Sequence, residues 1–204
     1  MFKFSFGIVY VFFLCLGCAP RTAYQLQIRK YQQGKLLEDT STIYQLPYEA
    51  GTKHRVIEGY FSRFTHRYRA ALDFKMKKGT PVYAIADGMV IRTKDDSNVG
   101  GMKNRNKPDG NYVIIEHNDS TRSSYRHLQY QSVIVHPGDR VHSGQMIAKS
   151  GMTGYTFTPH LHFMLAQLQD GEWNSIPCRF STKTFTGYLR PLKKYESLNK
   201  LLSH

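Results

Sequence analysis

The sequence predicts an all-β fold built from short antiparallel strands. Its apolar residues occur in short runs, Gly and Tyr are plentiful, and Gly and Pro residues separate the runs. Short strands with such punctuation are typical of antiparallel β structure. The predicted strands are Val82 to Ala86, Met89 to Thr93, Tyr112 to His117, Arg122 to His127, Val133 to His136, Gln145 to Lys149, His160 to Gln167 and Trp173 to Ile176.

The N-terminus predicts the signal peptide of a bacterial lipoprotein. Lys3 precedes an uncharged apolar run from Phe4 to Cys18, which is short for a membrane span of about 20 residues. The run ends in Leu16-Gly17-Cys18, which resembles a lipoprotein processing site, although Cys15 stands where a large aliphatic residue is usual. We therefore expect a lipid on Cys18 and attachment to a bacterial membrane in the cell envelope. Ordinary secretion or an uncleaved anchor is the alternative.

The rest of the chain divides by composition. Tyr24 to Ile28 forms one strand-like piece within an otherwise linker-like segment, and the polar stretch from Lys94 to Asn111 predicts a long loop. The basic end from Lys193 has some helical character. The predicted divisions are a signal peptide at 1–17, a linker at 18–43, a β domain at 44–180 and a basic tail at 181–204.

Charge and cysteine content narrow the class of partner. The formal net charge of +13 favours a polyanionic partner, and nucleic acid is the usual one for a cytosolic chain. An exported chain meets anionic envelope polymers and lipid headgroups instead, so we expect no nucleic acid. Signal cleavage and acylation of Cys18 leave Cys178 without a disulfide partner, and we expect Cys178 to be a buried structural residue.

The pair His160 and His162 is the most informative chemical pattern. Alternate residues of a strand project to one face, so the two imidazoles lie side by side while Leu161 and Phe163 face the core. Neutral imidazole is a common zinc ligand. A surface strand carries such a pair more often than a metal site does, so the pair alone leaves both interpretations open.

Two further residues have chemical potential. His127 lies near a strand end in Tyr125-Arg126-His127-Leu128, where a half-buried structural histidine is the simpler interpretation. Asp73 lies between Leu72 and Phe74, where an ionised carboxylate is costly to bury without a cation or several donors. A bound metal or a turn-capping role would each account for it.

Taken together, these patterns resemble the lysostaphin-type zinc endopeptidases, whose domains are also called LytM domains. The resemblance extends from about Leu46 to about Phe180 and implies an antiparallel β-sheet LytM-type domain, a barrel-sandwich hybrid with an open groove. The matching stretches are Gly59 to His66, Asp73-Phe74, Gly79 to Val90, Gly110 to His117, Tyr125 to Leu128, Gly138 to Val141, Gly144-Gln145, Gly151 to Gly154 and Pro159 to Phe163.

The resemblance implies that a zinc ion is held by His66, Asp73 and His162. In the commonest form of the family the first histidine lies four residues before the aspartate, where this chain has Arg69. A related branch has Ser/Thr-His at a longer distance before the aspartate, and Thr65-His66 fits that branch. We therefore identify His66 as the expected first ligand.

The resemblance also implies catalytic roles for His127 and His160 beside the metal. One would accept a proton from the attacking water and the other would hydrogen-bond the developing oxyanion, with the two roles unassigned. We expect a zinc-dependent endopeptidase that hydrolyses peptide bonds in peptidoglycan stems or cross-bridges. The sequence contains no His-Glu-x-x-His helix of the thermolysin type.

Two other functions are compatible with the pattern. A non-catalytic wall-binding LytM-like module that regulates another hydrolase would explain Arg69, and sugar-transport phosphocarrier domains share paired histidines but work in the cytosol. The bond cut and the oligomeric state are unassigned. We expect His117 at a strand end and the remaining histidines on the surface: His54, His136, His142 and His204.

Overall fold

The computed structural model describes Lys30 and residues 42–198, so the signal peptide, Cys18, the piece at 24–28 and His204 lie outside the described residues. Among the residues described, no helix has the length and apolarity that a bilayer crossing requires. The strands in chain order are β1 (Ile43–Tyr44), β2 (Lys53–Glu58), β3 (Ala71–Lys75), β4 (Pro81–Tyr83), β5 (Gly88–Lys94), β6 (Tyr112–Glu116), β7 (Thr121–Arg126), β8 (Arg140–Val141), β9 (Met146–Lys149), β10 (His160–Gln169), β11 (Glu172–Ile176), β12 (Arg179–Ser181), β13 (Thr186–Gly187) and β14 (Lys194–Glu196).

One large open sheet carries the fold. Its strand order is β14-β2-β3-β10-β7-β6-β5-β8, every pairing is antiparallel, and β11 extends it by pairing with the second half of β10. Two smaller sheets, β1-β12-β13 and β4-β9, accompany it. The prediction of an all-β, mainly antiparallel domain is confirmed.

The large sheet has one core face. Alternation along β3 and β10 buries Leu72, Phe74, Leu161 and Phe163 completely, as predicted for the last two. The Phe163 ring packs against Phe180 of β12 with ring centroids 5.8 Å apart, so a smaller sheet covers this face. The opposite face carries Asp73, His160, His162 and Arg126 and forms the floor of an open groove.

Register aligns six polar residues of the groove face in a single row. His162 on the central strand β10 pairs with Asp73 of β3 on one side and with Arg126 of β7 on the other. Paired residues of antiparallel strands project to the same face. The groove row, from β2 to β5, consists of Glu58, Asp73, His162, Arg126, Tyr112 and Lys94.

Several local predictions were wrong. Residues 133–136 form no strand, although Ile134 N donates one hydrogen bond to Ile147 O. The predicted loop at 94–111 contains a 3-10 helix, Asn104–Asp109. The expected helical character from Lys193 is replaced by β14, because Tyr195 is buried there and its strand pairs with β2.

The remaining cysteine and histidines mostly follow expectation. Cys178 is buried, and His117 directly follows β6, as predicted. His136 and His142 are exposed, also as predicted. His54 is half-buried instead, because its ring packs edge-on against Tyr48 with centroids 4.7 Å apart.

Candidate metal centre and groove

Adjacent strands bring Asp73 and His162 together at the middle of the groove row. Their register places them side by side, and His162 Nδ1 lies 2.8 Å from Asp73 Oδ1. Only 6% of Asp73 and 8% of His162 is accessible to solvent, so the carboxylate has little water to stabilise it. A buried carboxylate of this kind needs cationic or donor partners.

His66 reaches the same place from the loop between β2 and β3. Its Nε2 lies 3.3 Å from Asp73 Oδ1, and its ring centroid lies 5.0 Å from that of His162. The other ring nitrogen, Nδ1, lies 3.2 Å from the carbonyl oxygen of Gly59 and is placed to donate to it. That bond directs the unprotonated Nε2 of a neutral imidazole toward Asp73.

Glu58 holds the loop that carries His66. Its carboxylate accepts hydrogen bonds from the Thr65 backbone N at 2.6 Å, the Thr65 hydroxyl at 2.7 Å and the His66 backbone N at 3.1 Å. The Ser62 hydroxyl donates to the same carboxylate. Burial would raise the pKa of Glu58, but these donors outweigh it and lower the pKa. An ionised Glu58 therefore fixes the backbone at the candidate ligand.

The donor set fits a metal ion. One ligand atom from each of His66, Asp73 and His162 lies within 4.8 Å of the other two. His66 Nε2 is buried and makes no hydrogen bond of acceptable geometry, although it lies close to Asp73. Two imidazoles and one carboxylate are a donor set that zinc takes in proteins, so these residues would suit zinc.

His127 and His160 flank this cluster. His160 Nδ1 lies 2.8 Å from Thr158 O, which leaves Nε2 3.6 Å from Asp73 Oδ2. His127 Nδ1 lies 2.7 Å from Thr153 O, and its backbone has a positive φ of 61°. The two rings are 4.7 Å apart between centroids. Each histidine donates to a carbonyl through Nδ1 and presents Nε2 to the groove.

A second group of possible ligands consists of His127, His160 and His162, whose nitrogens also lie within 4.8 Å of one another. The first group is the better candidate for a metal site, because its carboxylate supplies the negative charge that a divalent cation needs. The second group leaves Asp73 without that counterion. His162 belongs to both groups and lies between them.

The local electrostatics favour a neutral imidazole at His127 and His162 and an ionised carboxylate at Asp73. Burial would raise the pKa of Asp73, but the hydrogen bond from His162 and the close contact with His66 hold it far below the ordinary range. Burial, with the nearby charges of His160 and His162, lowers the pKa of His127 to about 3. Burial also lowers the pKa of His162, although Asp73 opposes the shift. Metal binding requires these protonation states.

His66 titrates in the opposite direction. Burial alone would lower its pKa, but the close contact with the charged Asp73, together with the charge of Glu58, outweighs burial and raises the pKa. In the absence of a cation, His66 is therefore the imidazole of the cluster that most readily carries a proton. A bound metal would take the position of that proton.

The structure brings all five predicted site residues together, while their roles stay predictions. Arg69 is exposed, and a guanidinium does not ligate zinc, so the position of the usual first histidine contributes no ligand here. Sequence reasoning missed Glu58 and Arg126, which join the site only through strand register. For Glu58, the available signal was the Thr65-His66 pair, because a loop that carries a metal ligand must be held in place by a neighbouring group.

The comparisons with known proteins agree with this arrangement. The sequence profile of peptidase family M23 matches residues 67–174, just over half of the chain, and begins one residue after His66. The peptidoglycan DD-endopeptidase ShyA of Vibrio cholerae is 42% identical over 94 residues, which cover 46% of this chain and 19% of that protein. The glycyl-glycine endopeptidase ALE-1 of Staphylococcus capitis is 44% identical over 93 residues, which cover 45% of this chain and 23% of that protein.

A solved structure is also similar. The catalytic domain of lysostaphin from Staphylococcus simulans is 32% identical, with a TM-score of 0.42, and the match covers 61% of this chain and 82% of that chain. The matched segment spans only about a fifth of the length of the two curated relatives above. The family profile covers the greater part of the groove strands, from β3 to β10. The chain belongs to peptidase family M23.

Proposed function

We propose that this protein is a zinc-dependent endopeptidase that hydrolyses peptide bonds in peptidoglycan stems or cross-bridges. The observation that carries the proposal is the buried cluster of His66, Asp73 and His162 at the floor of an open groove. Relatives named as peptidoglycan and glycyl-glycine endopeptidases support the substrate class. His66, Asp73 and His162 would hold the ion, leaving a coordination position for water.

The chain's own residues would then carry the proton transfers. Zinc, when bound, supplies a Lewis acid and lowers the pKa of water toward about 7. His127 and His160 would each direct Nε2 into the groove. One would accept the proton of the attacking water on an unprotonated Nε2, and the other would donate a hydrogen bond from a protonated Nε2 to the oxygen of the cleaved carbonyl. Their Nδ1 donors are fixed on the carbonyls of Thr153 and Thr158, so both rings are oriented before substrate arrives.

A digestion of purified peptidoglycan tests the proposal. The wild-type protein should bind about one zinc ion per chain and release soluble peptide fragments that mass spectrometry identifies. His162→Ala removes a ligand whose ring is largely buried, and it should lose the zinc and slow fragment release by at least about a hundredfold. His142→Ala, which changes an exposed histidine, is the matched control and should retain both properties.

The same experiment separates the enzyme from a wall-binding module. Identical fragment release by wild type and His162→Ala would exclude the catalytic assignment. Wall binding without zinc and without fragments would favour a non-catalytic regulator of another hydrolase. That alternative is motivated by Arg69, which stands where the family usually has its first histidine. We propose that His66 takes the role of that histidine.

We further propose that Cys18 carries a lipid that holds the protein in the bacterial cell envelope. The support is the sequence pattern of Lys3, the apolar run and Leu16-Gly17-Cys18. Radiolabelled palmitate should enter the wild-type protein and not Cys18→Ser. Equal labelling of both proteins, or of neither, would overturn the anchor.

A further inference from the structure

Arg126 lies beside the candidate metal centre on the groove face. It pairs with His162 across β7 and β10, and Tyr112 follows it in the groove row. Paired residues have Cβ atoms about 4.5–5.5 Å apart on the same face. The Arg126 side chain therefore starts one strand spacing from a proposed zinc ligand.

Contacts with the sheet orient the Arg126 guanidinium. Its Nε donates to Ser124 Oγ at 3.0 Å, and its Cζ lies 5.4 Å from the centre of the Tyr112 ring. Arg92 lies over the same ring at 5.9 Å and donates to the Tyr112 hydroxyl at 3.3 Å. Two guanidinium groups therefore contact Tyr112 near one end of the groove row. Among the described residues, the terminal Nη atoms of Arg126 have no hydrogen-bond acceptor.

Arg126 also lacks an acidic partner within the part of the chain that the structure describes. Arg122, on the same strand and the same face, shows the contrast, because its Nη2 lies 2.9 Å from Glu116 Oε1. Arg92 lies over the same Tyr112 ring as Arg126, and Arg69 is a further nearby positive charge. A half-buried cation among other cations is unfavourable until an anion compensates it.

We propose that Arg126, with added charge from Arg92 and Arg69, forms a subsite for a carboxylate of the peptide substrate beside the scissile bond. The inference rests on the proposed function for the identity of the substrate as a peptide. The planar fork of a guanidinium matches a carboxylate with two parallel hydrogen bonds, which a lysine cannot reproduce. Ser124 and Tyr112 hold the guanidinium at this position.

A pair of matched peptides tests the subsite on the zinc-loaded, full-length protein. One fluorescent stem-type peptide carries a free carboxylate on its glutamyl residue, and its twin carries an amide there. Fluorescence anisotropy should give a dissociation constant about tenfold lower for the carboxylate peptide, the value of a hydrogen-bonded charged group. Mass spectrometry of each sample records whether the peptide stays intact.

Variants locate the preference. In Arg126→Gln the two peptides should bind equally, at the affinity that the wild type has for the amide peptide. Arg126→Lys should recover only part of the preference, because it keeps the charge and loses the fork. Arg122→Gln removes the same charge from the same strand and should leave the preference unchanged. Thermal denaturation checks that each variant is folded. If Arg126→Gln is not folded, Arg92→Gln replaces it and should lose part of the preference for the carboxylate peptide.

Several results would overturn the subsite. Equal binding of the two peptides by wild type would do so, as would an equal loss of preference in Arg122→Gln. Tighter binding of a glycerol phosphate oligomer than of the carboxylate peptide, abolished by Arg126→Gln, would assign the arginines to phosphate instead. Failure of the proposed function gives a different result. If the peptide is not cleaved but the preference for the carboxylate peptide is retained, the proposed activity is excluded and the subsite is still supported.

Discussion

Glu58 shows how one residue outside the predicted set can determine the candidate centre. Its carboxylate accepts hydrogen bonds from Ser62, Thr65 and His66 and so holds the loop that carries His66. Gln at this position keeps the size and replaces one acceptor oxygen by a donor, which faces the Thr65 donors unfavourably. We expect Glu58→Gln to lower zinc affinity by about 10- to 100-fold, measured by competition with a chromogenic chelator.

A second glutamate provides the control for this change. Glu116 is part of an ion pair with Arg122 on the groove face, away from the His66 loop. Glu116→Gln should leave zinc affinity within about twofold of wild type, since a partly exposed ion pair contributes little to stability. Unchanged zinc affinity in Glu58→Gln would mean that the loop holds His66 without the carboxylate.

At the scale of elements, the segment that contains Gly151 supports His127. A Cβ at Gly151 would lie 2.5 Å from the backbone N of Gln129 and 2.7 Å from Leu128 C, so a side chain there must push the two segments apart. The carbonyl of Thr153, two residues on, faces His127 Nδ1. Gly151→Ala should lower stability by about 1–3 kcal/mol and reduce peptidoglycan hydrolysis more than the loss of folded protein explains.

Gly110→Ala is the matched substitution for that test. Its added Cβ would meet atoms no closer than 3.7 Å, and its φ of −70° suits alanine. Its denaturation midpoint and hydrolysis rate should stay near wild type. If Gly151→Ala keeps full activity per folded molecule, the segment at Gly151 does not control the orientation of His127.

The elements also show what sequence could predict. Alternation of buried and polar residues predicted the central strand, because Leu161 and Phe163 pack in the core and leave both histidines on the groove face. The apolar stretch at 133–136 misled the prediction, because Ile134 is 58% exposed and its segment joins no sheet. Strand β14 was missed because pairing with β2 overrides local helical character.

The candidate site followed a similar division. Asp73 and the His-x-His pair are neighbours of core residues in sequence, so their patterns carried a signal. His66 was predicted through the family resemblance, since a variable loop separates it from β3. Arg126 and Glu58 acquire meaning only from the register of strands that lie far apart in the chain, and local sequence does not specify that register.

For the whole molecule, buried histidines determine how stability depends on pH. Burial lowers the pKa values of His54, His117, His127 and His162, and opposing contacts raise that of His66. A histidine with a lowered folded pKa stabilises the fold above its unfolded pKa of about 6.5 and loses that stability as pH falls below it. His66 has the opposite sign: its contribution is present below about 6.5 and is lost as pH rises through its folded pKa.

Four lowered values against one raised value predict that the metal-free protein loses stability between pH 7.5 and pH 5. His127, with a folded pKa of about 3, should by itself account for about 2 kcal/mol of the loss. Urea denaturation with a chelator present measures the change, and His127→Gln should reduce it while the exposed His136→Gln should not. Zinc should steepen the dependence, because protons then compete for the ligands. A free energy of unfolding that stays constant or rises toward pH 5 would show that these imidazoles are not buried in their neutral form.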